Sequence, residues 1–480
     1  MSAYTNMLTY QDLEKCTTEE QRRQFINNCI SAHETSEMFK TGTDAGQFYR
    51  HRDPDLEAMR RYVYDRTGQA FEDTYSADHR ITSNWFYLLL TQTVMYLLGN
   101  GIIFDNPEIK EALSGNDDFD YATQKVTLYA GCDGEAYAYV SDNGIEPLCY
   151  ACRIDGNEPT IYPIKDENDG SIKAAVRHWR LDPNKPRKIT LYELDGFTEY
   201  TDTDHGIDFA DGGKKRYNSE IAYNDIQGAY FEKDTSLGKF PIVKMPYINN
   251  QSALIGNREL IFAYDLVFSS MVNKMDMNAI YWILKNADAM SKQDDINFIV
   301  DLLKTKVLHL SEGQEVTMQE INTNTAAFEQ TLAELRKQLF QNFMCIDTEM
   351  ISAGNVTATQ IKTSYQNADL QANALERCVS EFIRDVLEVR GFDRNEPFHF
   401  TRDKAINESE HVGNLIQSAQ YFDSETVTRA LATTLGMIDD ADNIIERKQQ
   451  EAQEVFMGGN NPEPNKETET NEIIETAEGE

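Results

Sequence analysis

The chain has 480 residues, of which 40% are hydrophobic and 26% charged, an ordinary soluble composition spread over about three domains' worth of length. This excludes a wholly disordered chain, a collagen-like fibre and a short disulfide-stapled scaffold. With 45 basic and 80 acidic side chains the net charge is −35, which argues against a protein that wraps duplex DNA by neutralising its phosphates, though not against one past which DNA must slide.

Residues 1–80 read as helical and polar, with loop signals at Gly42 to Gly46 and at Asp53-Pro54. The N-terminus has neither the basic nor the apolar region of a signal peptide. From Ile81 to Phe104 no residue is charged, long enough to span a bilayer. Asn84, Gln92, Asn100, Gly99 and Gly101 interrupt it, so the expectation is a buried helix over 84–98, with Ser83 as cap and Gly99 as stop.

Between about 121 and 250 the apolar period changes to two. KVTLYA, EAYAYVSD, PLCYACRI, PTIYPI, AAVRHWRL, KITLYEL and FTEYTD are strand-like runs. Asn143-Gly144, Asp155-Gly156 and Asp195-Gly196 favour tight hairpins, so the whole is expected to be an antiparallel meander. His205 to Asn218, with Gly212-Gly213-Lys214-Lys215-Arg216, is expected as a hairpin tip or mobile loop. The seven cysteines are too few and scattered for a secreted framework. Cys149 and Cys152 form a lone C-x-x-C in a strand-like context, without a second pair to complete a zinc site, and are read as two buried thiols.

From 256 onward the chain is expected to be helical. Ile261, Tyr264, Phe268, Met271, Met275, Ala279 and Trp282 recur at three and four residues; a helix from 257 to 284 would be roughly 40 Å long. There follow a short helix DDINFIVDLLKT, a strand KVLHLS, a turn at Glu312-Gly313 and a strand EVTMQEI. A second helix carries Phe328, Leu332, Leu335, Leu339 and Phe343 on one face, and a small-residue loop spans 346–356. Thr357 to Gln360 is a capping-box pattern opening a helix of about 33 residues, roughly 50 Å, closed by Gly391. Its regular apolar stripe suits a coiled-coil seam and a core-packed helix equally. The last domain, about 403–457, is expected to be helical, with Ser424 as a cap, a stop near Gly436, and Asp439, Asp440 and Asp442 at the next helix start. The tail 458–480, with seven glutamates, one lysine and two prolines, is expected to be disordered.

Strong catalytic templates fail. Gly238-Lys239 leads into Phe240 and Gly213-Lys214 lacks its hydroxyl, so neither is a P-loop. No G-x-S-x-G or H-E-x-x-H occurs. Gly99-Asn-Gly101 lacks the third glycine of a dinucleotide loop. The pairs Asp117-Asp118, Asp294-Asp295 and Asp439-Asp440 would suit a metal-dependent nuclease, but such neighbours arise by chance among 80 acids. No catalytic, cofactor or metal residue is assigned, and the expected cofactor is none.

The order of elements resembles the portal proteins of tailed bacteriophages of the siphophage type. Trp85-Phe-Tyr-Leu-Leu-Leu with Tyr96-Leu-Leu-Gly-Asn-Gly-Ile-Ile103 is similar to the family's early helix and its Gly turn. Leu237-Gly-Lys-Phe-Pro-Ile-Val-Lys-Met-Pro-Tyr-Ile-Asn-Asn250 resembles its "G-x-x-P-[IV]-V…N-N" strand. Glu259-Leu-Ile-Phe-Ala-Tyr-Asp265, with Ser269 and Asn273, resembles "L-I-x-A-Y-D…S…N". Asn355-Val-Thr-Ala-Thr-Gln-Ile-Lys362 is similar to the start of the long kinked helix, with Ala358 where many relatives carry glycine. Asp423-Ser-Glu-Thr426, Gly436-Met-Ile-Asp-Asp440 and Glu446-Arg resemble "S-x-E-T…D-D…E".

The resemblance implies an α+β, mainly α-helical portal fold with a β-rich wing meander, long stem helices, a small α/β clip and a helical crown. It implies a wing at 1–255, stem helices at 256–284 and 326–345, a clip at 285–325, a tunnel loop at 346–356, a long wing helix and following segment at 357–402, and a crown at 403–457. It further implies a homo-oligomeric ring, a dodecamer, at one capsid vertex of the virion, assembled in the host cytoplasm and not in a membrane. Double-stranded DNA would be packaged and ejected through its channel without enzymatic activity. Terminase large subunit, then a head-tail adaptor, would dock on it, beside major capsid and scaffold proteins. Carried onto this chain, Asp347, Glu349, Ser352, Gly354 and Asn355 would face DNA. Tyr264, Phe268, Met271, Met275 and Trp282 would form the stem and ring interface, and Lys285, Lys292, Lys304 and Lys306 would receive partners at the clip. The alternatives are a ring-forming or scaffold protein without a DNA channel, and the nuclease.

Overall fold

The computed structural model describes residues 8–64, 68–73, 76–114, 118–182, 184–203, 206–224, 229–234, 238–277, 280–285, 315–320, 325–347, 349, 358–402, 416–417, 423–434, 444–445 and 447–448. They divide into two compact units, one of residues 1–353 with 363–403, the other of 354–362 with 404–480. Helices and antiparallel sheets are mixed, an α+β architecture.

In the first unit α1 (Tyr10–Glu14), α2 (Glu19–Thr35), α3 (Glu37–Tyr49) and α4 (Pro54–Ala58) lead the chain. Thr18 caps α2 in a reciprocal bond pair with Gln21, and Asp53 caps α4, whose first residue is proline. The loop expected at Gly42 to Gly46 is instead the middle of α3. The two glycines serve packing there: a Cβ at Gly42 would overlap the Asp133 carboxylate and one at Gly46 the Cys152 carbonyl. A hairpin of β1 (Tyr62–Tyr64) and β2 (Ala70–Glu72) follows, then α5 (Trp85–Leu98), β3 (Ile102–Phe104), α6 (Pro107–Ser114) and α7 (Phe119–Asp133). α5 begins after Asn84, one residue later than a Ser83 cap would put it. Its 14 residues are about 21 Å long, short of a bilayer core of about 30 Å. Among the described residues no helix is long and apolar enough to cross a membrane.

The run KVTLYA, expected as a strand, lies inside α7. Asp118 caps that helix through the Asp120 amide, and Gly134, at φ 93°, ends it. Burial on almost every side overrides the β-branched composition, and Thr123 and Thr127 bond back to the carbonyls four residues earlier.

The strands are β4 (Glu135–Ser141), β5 (Gly144–Leu148), β6 (Thr160–Lys165), β7 (Ile172–Trp179), β8 (Arg187–Glu193), β9 (Gly196–Thr203), β10 (Gly206–Lys215), β11 (Ser219–Asn224), β12 (Ala229–Asp234) and β13 (Ile242–Pro246). β6 to β10 form a five-stranded meander in chain order, antiparallel throughout. β13 and β5 flank β4, and β11 pairs β12. Asn143-Gly144 and Asp195-Gly196 sit at the expected hairpins. Asp155-Gly156 does not close one, because β5 and β6 belong to different sheets. The segment expected as a tip at 205–218 is largely strand β10, whose register shifts between Phe209 and Lys214 where Gly212 and Gly213 take positive φ. β5 stops at Leu148, so Cys149 keeps only an isolated bridge to Thr160 and Cys152 follows bends; both thiols are buried and unpaired by disulfide.

α8 (Arg258–Met277) and β14 (Ile280–Lys285), which pairs with β15 (Glu315–Glu320), follow, then α9 (Thr325–Asn342), α10 (Ala358–Val389) and β16 (Phe398–Phe400), which pairs with β3. The expected helix 257–284 thus ends at Met277. Ile280-Tyr-Trp-Ile-Leu, rich in β-branched and aromatic residues, turns to strand. The main core joins α5, α7, β4 and α10 through residues such as Leu89, Leu90, Val126, Tyr129, Phe382 and Val386. A second packs α1 and α2 on one face of the meander through Ile26, Ile30, Val176, Leu191 and Tyr200. In the second unit, α11 (Ser424–Thr434) begins after Asp423, whose carboxylate accepts from the Thr426 amide and hydroxyl, so Asp423 caps where Ser424 was expected to. DDINFIVDLLKT, KVLHLS, Glu312-Gly313, Thr357, Gly436, the Asp439 to Asp442 acids and the tail 458–480 lie outside the described residues.

Candidate functional site

The candidate site centres on α8 and α9. α8 is entered through a turn at 252–257, where Asn257 donates to the Ala253 carbonyl. Glu259 near its start and Lys274 near its end suit its dipole. Arg258 anchors this end, bonding Asp55 through Nε (2.7 Å) and Nη2 (2.9 Å) and Asp44 through Nη1 (2.7 Å).

One face of α8 is aromatic. Tyr264 lies edge-on to Trp85 (centroids 5.4 Å) and stacks with Phe268 (6.4 Å, 25°). Trp85 is also edge-on to Phe340 of α9 (5.6 Å), which lies under the Arg336 guanidinium (5.5 Å). Lys274 stands over the Phe328 ring at 4.8 Å, so α8 and α9 are joined at both ends of their contact. Tyr264, Phe268 and Met271 are half-buried within the chain and Met275 is 55% exposed. Trp282 is carried by β14 rather than by this helix.

A second face is polar and buried: Asp265, Ser269 and Asn273, spaced four apart, are each 3% exposed or less. They receive alternate amides of an extended segment. Ser83 N donates to Asp265 Oδ1 (3.0 Å), Ile81 N to Ser269 Oγ (2.9 Å) and His79 N to Asn273 Oδ1 (2.6 Å), while Asn273 Nδ2 returns a bond to the His79 carbonyl (3.2 Å). Four helical residues rise about 6.0 Å and two extended residues about 6.6 Å, which lets one ladder serve both backbones. Burial pushes the Asp265 carboxyl up to about 6.

Beyond α9, Arg336 holds Asp347 at 2.8 Å and also meets the Glu349 carboxylate. One guanidinium therefore serves both acids, and the three carry a single net negative charge. Asp118 of the paired acids is a helix cap (Asp120 N at 3.1 Å). Asp117, Asp294, Asp295, Asp439 and Asp440 lie outside the described residues. Among the described residues no group of three His, Cys, Asp or Glu could hold a metal ion.

Residues 49–455 match the family described as phage portal protein, SPP1 Gp6-like. The chain belongs to that portal family. Its relatives include the portal protein of Bacillus phage SPP1, 26% identical over 420 residues and aligned over 82% of this chain and 79% of that one. The portal protein of Clostridium phage phiCD119 is 22% identical over 329 residues, 63% and 68% of the two chains. Among solved structures, the neck of a native gene transfer agent particle computed with C12 symmetry aligns over 72% of this chain and 89% of that one, at 11% identity and a TM-score of 0.41. A common fold does not follow from a score that low.

Of the portal residues expected from sequence, the structure brings Tyr264 and Phe268 together, with Met271 and Met275 further along the same helix. It joins Asp347 and Glu349 through Arg336. Ser352, Gly354, Asn355, Lys292, Lys304 and Lys306 lie outside the described residues, and Lys285 is placed only as the last residue of β14. Arg336 was not anticipated, although a lone arginine eleven residues before an acidic loop is a visible signal.

Proposed function

We propose that copies of this portal-family chain form a closed dodecameric ring at one capsid vertex of the virion, and that duplex DNA passes through its axial channel during packaging and ejection. The family match over residues 49–455 carries this reading. In it α8 and α9 are the stem, and neighbouring subunits meet along Phe268, Met271 and Met275, of which Met275 is the most exposed. A closed ring requires two different, complementary faces on each copy. The hairpin of β14 and β15, carrying Trp282 and Lys285, roots the clip, and Lys292, Lys304 and Lys306 there receive the terminase large subunit and later the head-tail adaptor.

Residues 346–356, with Asp347, Glu349, Ser352, Gly354 and Asn355, form the tunnel loop. Duplex DNA carries one charge per about 1.7 Å, so a wall of lysines would hold it. A rim with one net negative charge per Asp347–Arg336–Glu349 group repels weakly and lets the duplex move. Chemistry belongs to the terminase, and this chain acts as a conduit. Assembly takes place in the host cytoplasm beside capsid and scaffold proteins.

Electron microscopy of the purified chain tests the reading. Rings with a central hole wide enough for duplex DNA are expected. Particles that stay monomeric at high concentration, or closed discs without a hole, would overturn it.

A further inference from the structure

The face of the five-stranded sheet turned away from α2 is not closed. Val176, Ile189, Leu191 and Tyr200 point into the core beneath α2, so by strand alternation Arg177, Trp179, Lys188, Thr190, Glu199 and Thr201 lie on the opposite face. There they line a groove of about 470 Å³, in the range of pockets that hold ligands. The register sets its floor: Arg177 opposite Thr190, Thr190 opposite Glu199, Trp179 opposite Lys188, and Lys188 opposite Thr201. Tyr139 of β4 closes one side with Tyr192 (centroids 5.6 Å), and Phe197 extends that apolar wall (6.1 Å from Tyr192).

One cation of the groove, Lys188, is short of acceptors. Glu199 is held by Lys215 at 2.7 Å. Glu146 takes both outer nitrogens of the Arg177 guanidinium (Nη2 at 2.6 Å, Nη1 at 3.3 Å), and Nη1 also donates to the Tyr192 hydroxyl at 3.4 Å, so Arg177 is already occupied. The exposed Lys188 ammonium stands 5.7 Å over the Trp179 ring, a weak partner for a cation beside water. Thr190 and Thr201 add two half-buried hydroxyls. The surrounding segment 172–188 has six basic residues (173, 177, 180, 185, 187 and 188) and one acid, Asp182, in a chain of net charge −35.

We propose that this groove docks an acidic peptide segment of a partner protein. A carboxylate of the segment meets the Lys188 ammonium and the Thr190 and Thr201 hydroxyls, and an adjacent apolar side chain lies against Tyr139, Tyr192 and Phe197. Carboxylates accept the donors the groove leaves over, and the aromatic wall selects a peptide over a bare anion. The assignment is independent of the ring and its channel.

The test titrates the full chain with a fluorescein-labelled twelve-residue peptide alternating glutamate and leucine. A glutamine–leucine peptide and an oligo-dT with the same label are run beside it. The acidic peptide is expected to bind about tenfold or more tighter than either. Lys188→Glu should weaken it about tenfold or more with an unchanged urea midpoint, since the side chain is exposed, and Thr201→Trp should block it while leaving every charge in place. Equal binding of the glutamine peptide, binding untouched by both substitutions, or absent binding would overturn the proposal. Tighter oligo-dT binding would overturn it in favour of a nucleic-acid face.

Discussion

His33 and His178 share one short contact, Nδ1 to Nε2 at 2.8 Å, where α2 crosses β7. Both are buried, and the rings of Phe39, Tyr150 and Tyr162 surround His33. The Glu34 carboxylate stands 4.0 Å from His178 Nδ1 and is already held by Arg187 at 3.1 Å. Burial therefore lowers both imidazoles, His178 to about 3, and each also stands near a positive neighbour or its fellow imidazole. A folded pKa below the unfolded value means that the unfolded chain takes the proton first. Stability from this pair is whole above about pH 6.5 and falls as pH drops, by about 1.4 kcal/mol per unit for each imidazole. Asp133 and Asp265, raised by burial to about 7 and about 6, act in the opposite sense in the same window. The pair is thus read as a difference: the stability margin of wild type over His178→Gln should shrink by more than about 1 kcal/mol between about pH 6.5 and 5. A margin independent of pH would contradict it.

At the scale of elements, the ladder on α8 carries a second expectation. Asn273→Ala removes both bonds to His79 and leaves its amide without a partner, which costs about 1–3 kcal/mol. Amide exchange at residues 79–83 should accelerate by about ten- to a hundredfold, with little change in α7; uniform acceleration across the chain would show that the ladder is not a local device. This ladder was only partly legible. Asp265, Ser269 and Asn273 are visible in the sequence as polar residues every fourth position inside an apolar helix, but their partner is backbone, which no side-chain pattern announces. The meander of β6 to β10 was legible because its strands alternate and its β8–β9 turn is Asp195-Gly196, and the separate β4–β5 hairpin because its turn is Asn143-Gly144. KVTLYA misled because its β-branched composition matches a strand, while Asp118 and Gly134, the caps that decide it, stand outside the run. The end of α8 misled because Trp282 continues the helical spacing even though Ile280 to Leu284 favours a strand.

At the scale of the whole molecule, charge governs association. In the ring proposed above, copies each carrying −35 would repel one another, and short-range apolar contacts, for which Met271 and Met275 are the proposed residues, would oppose that. The Debye length falls from about 30 Å at 0.01 M salt to about 8 Å at 0.15 M. Sedimentation should therefore show ring formation strengthening as salt rises over that interval. Weaker association with added salt would point to ion pairs as the main glue between subunits. The family was legible from the order of its motifs, whereas the neutralising role of Arg336 was not, because it depends on which side chain folds back onto Asp347.

The extended strip 79–83 and α8 behave as a zip with three teeth. Because the two backbones advance at about 6.0 and 6.6 Å per tooth, misfit grows by about 0.6 Å at each step. A fourth tooth would fall at Met277, and the one before the first at Ile261, neither of which offers a polar group. The fastener ends where the polar side chains end, and sliding the rod by half a tooth pulls on every bond at once. Axial creep of α8 along this strip is therefore resisted in small increments, so thrust applied to the rod is handed to residues 79–83 and the body behind them.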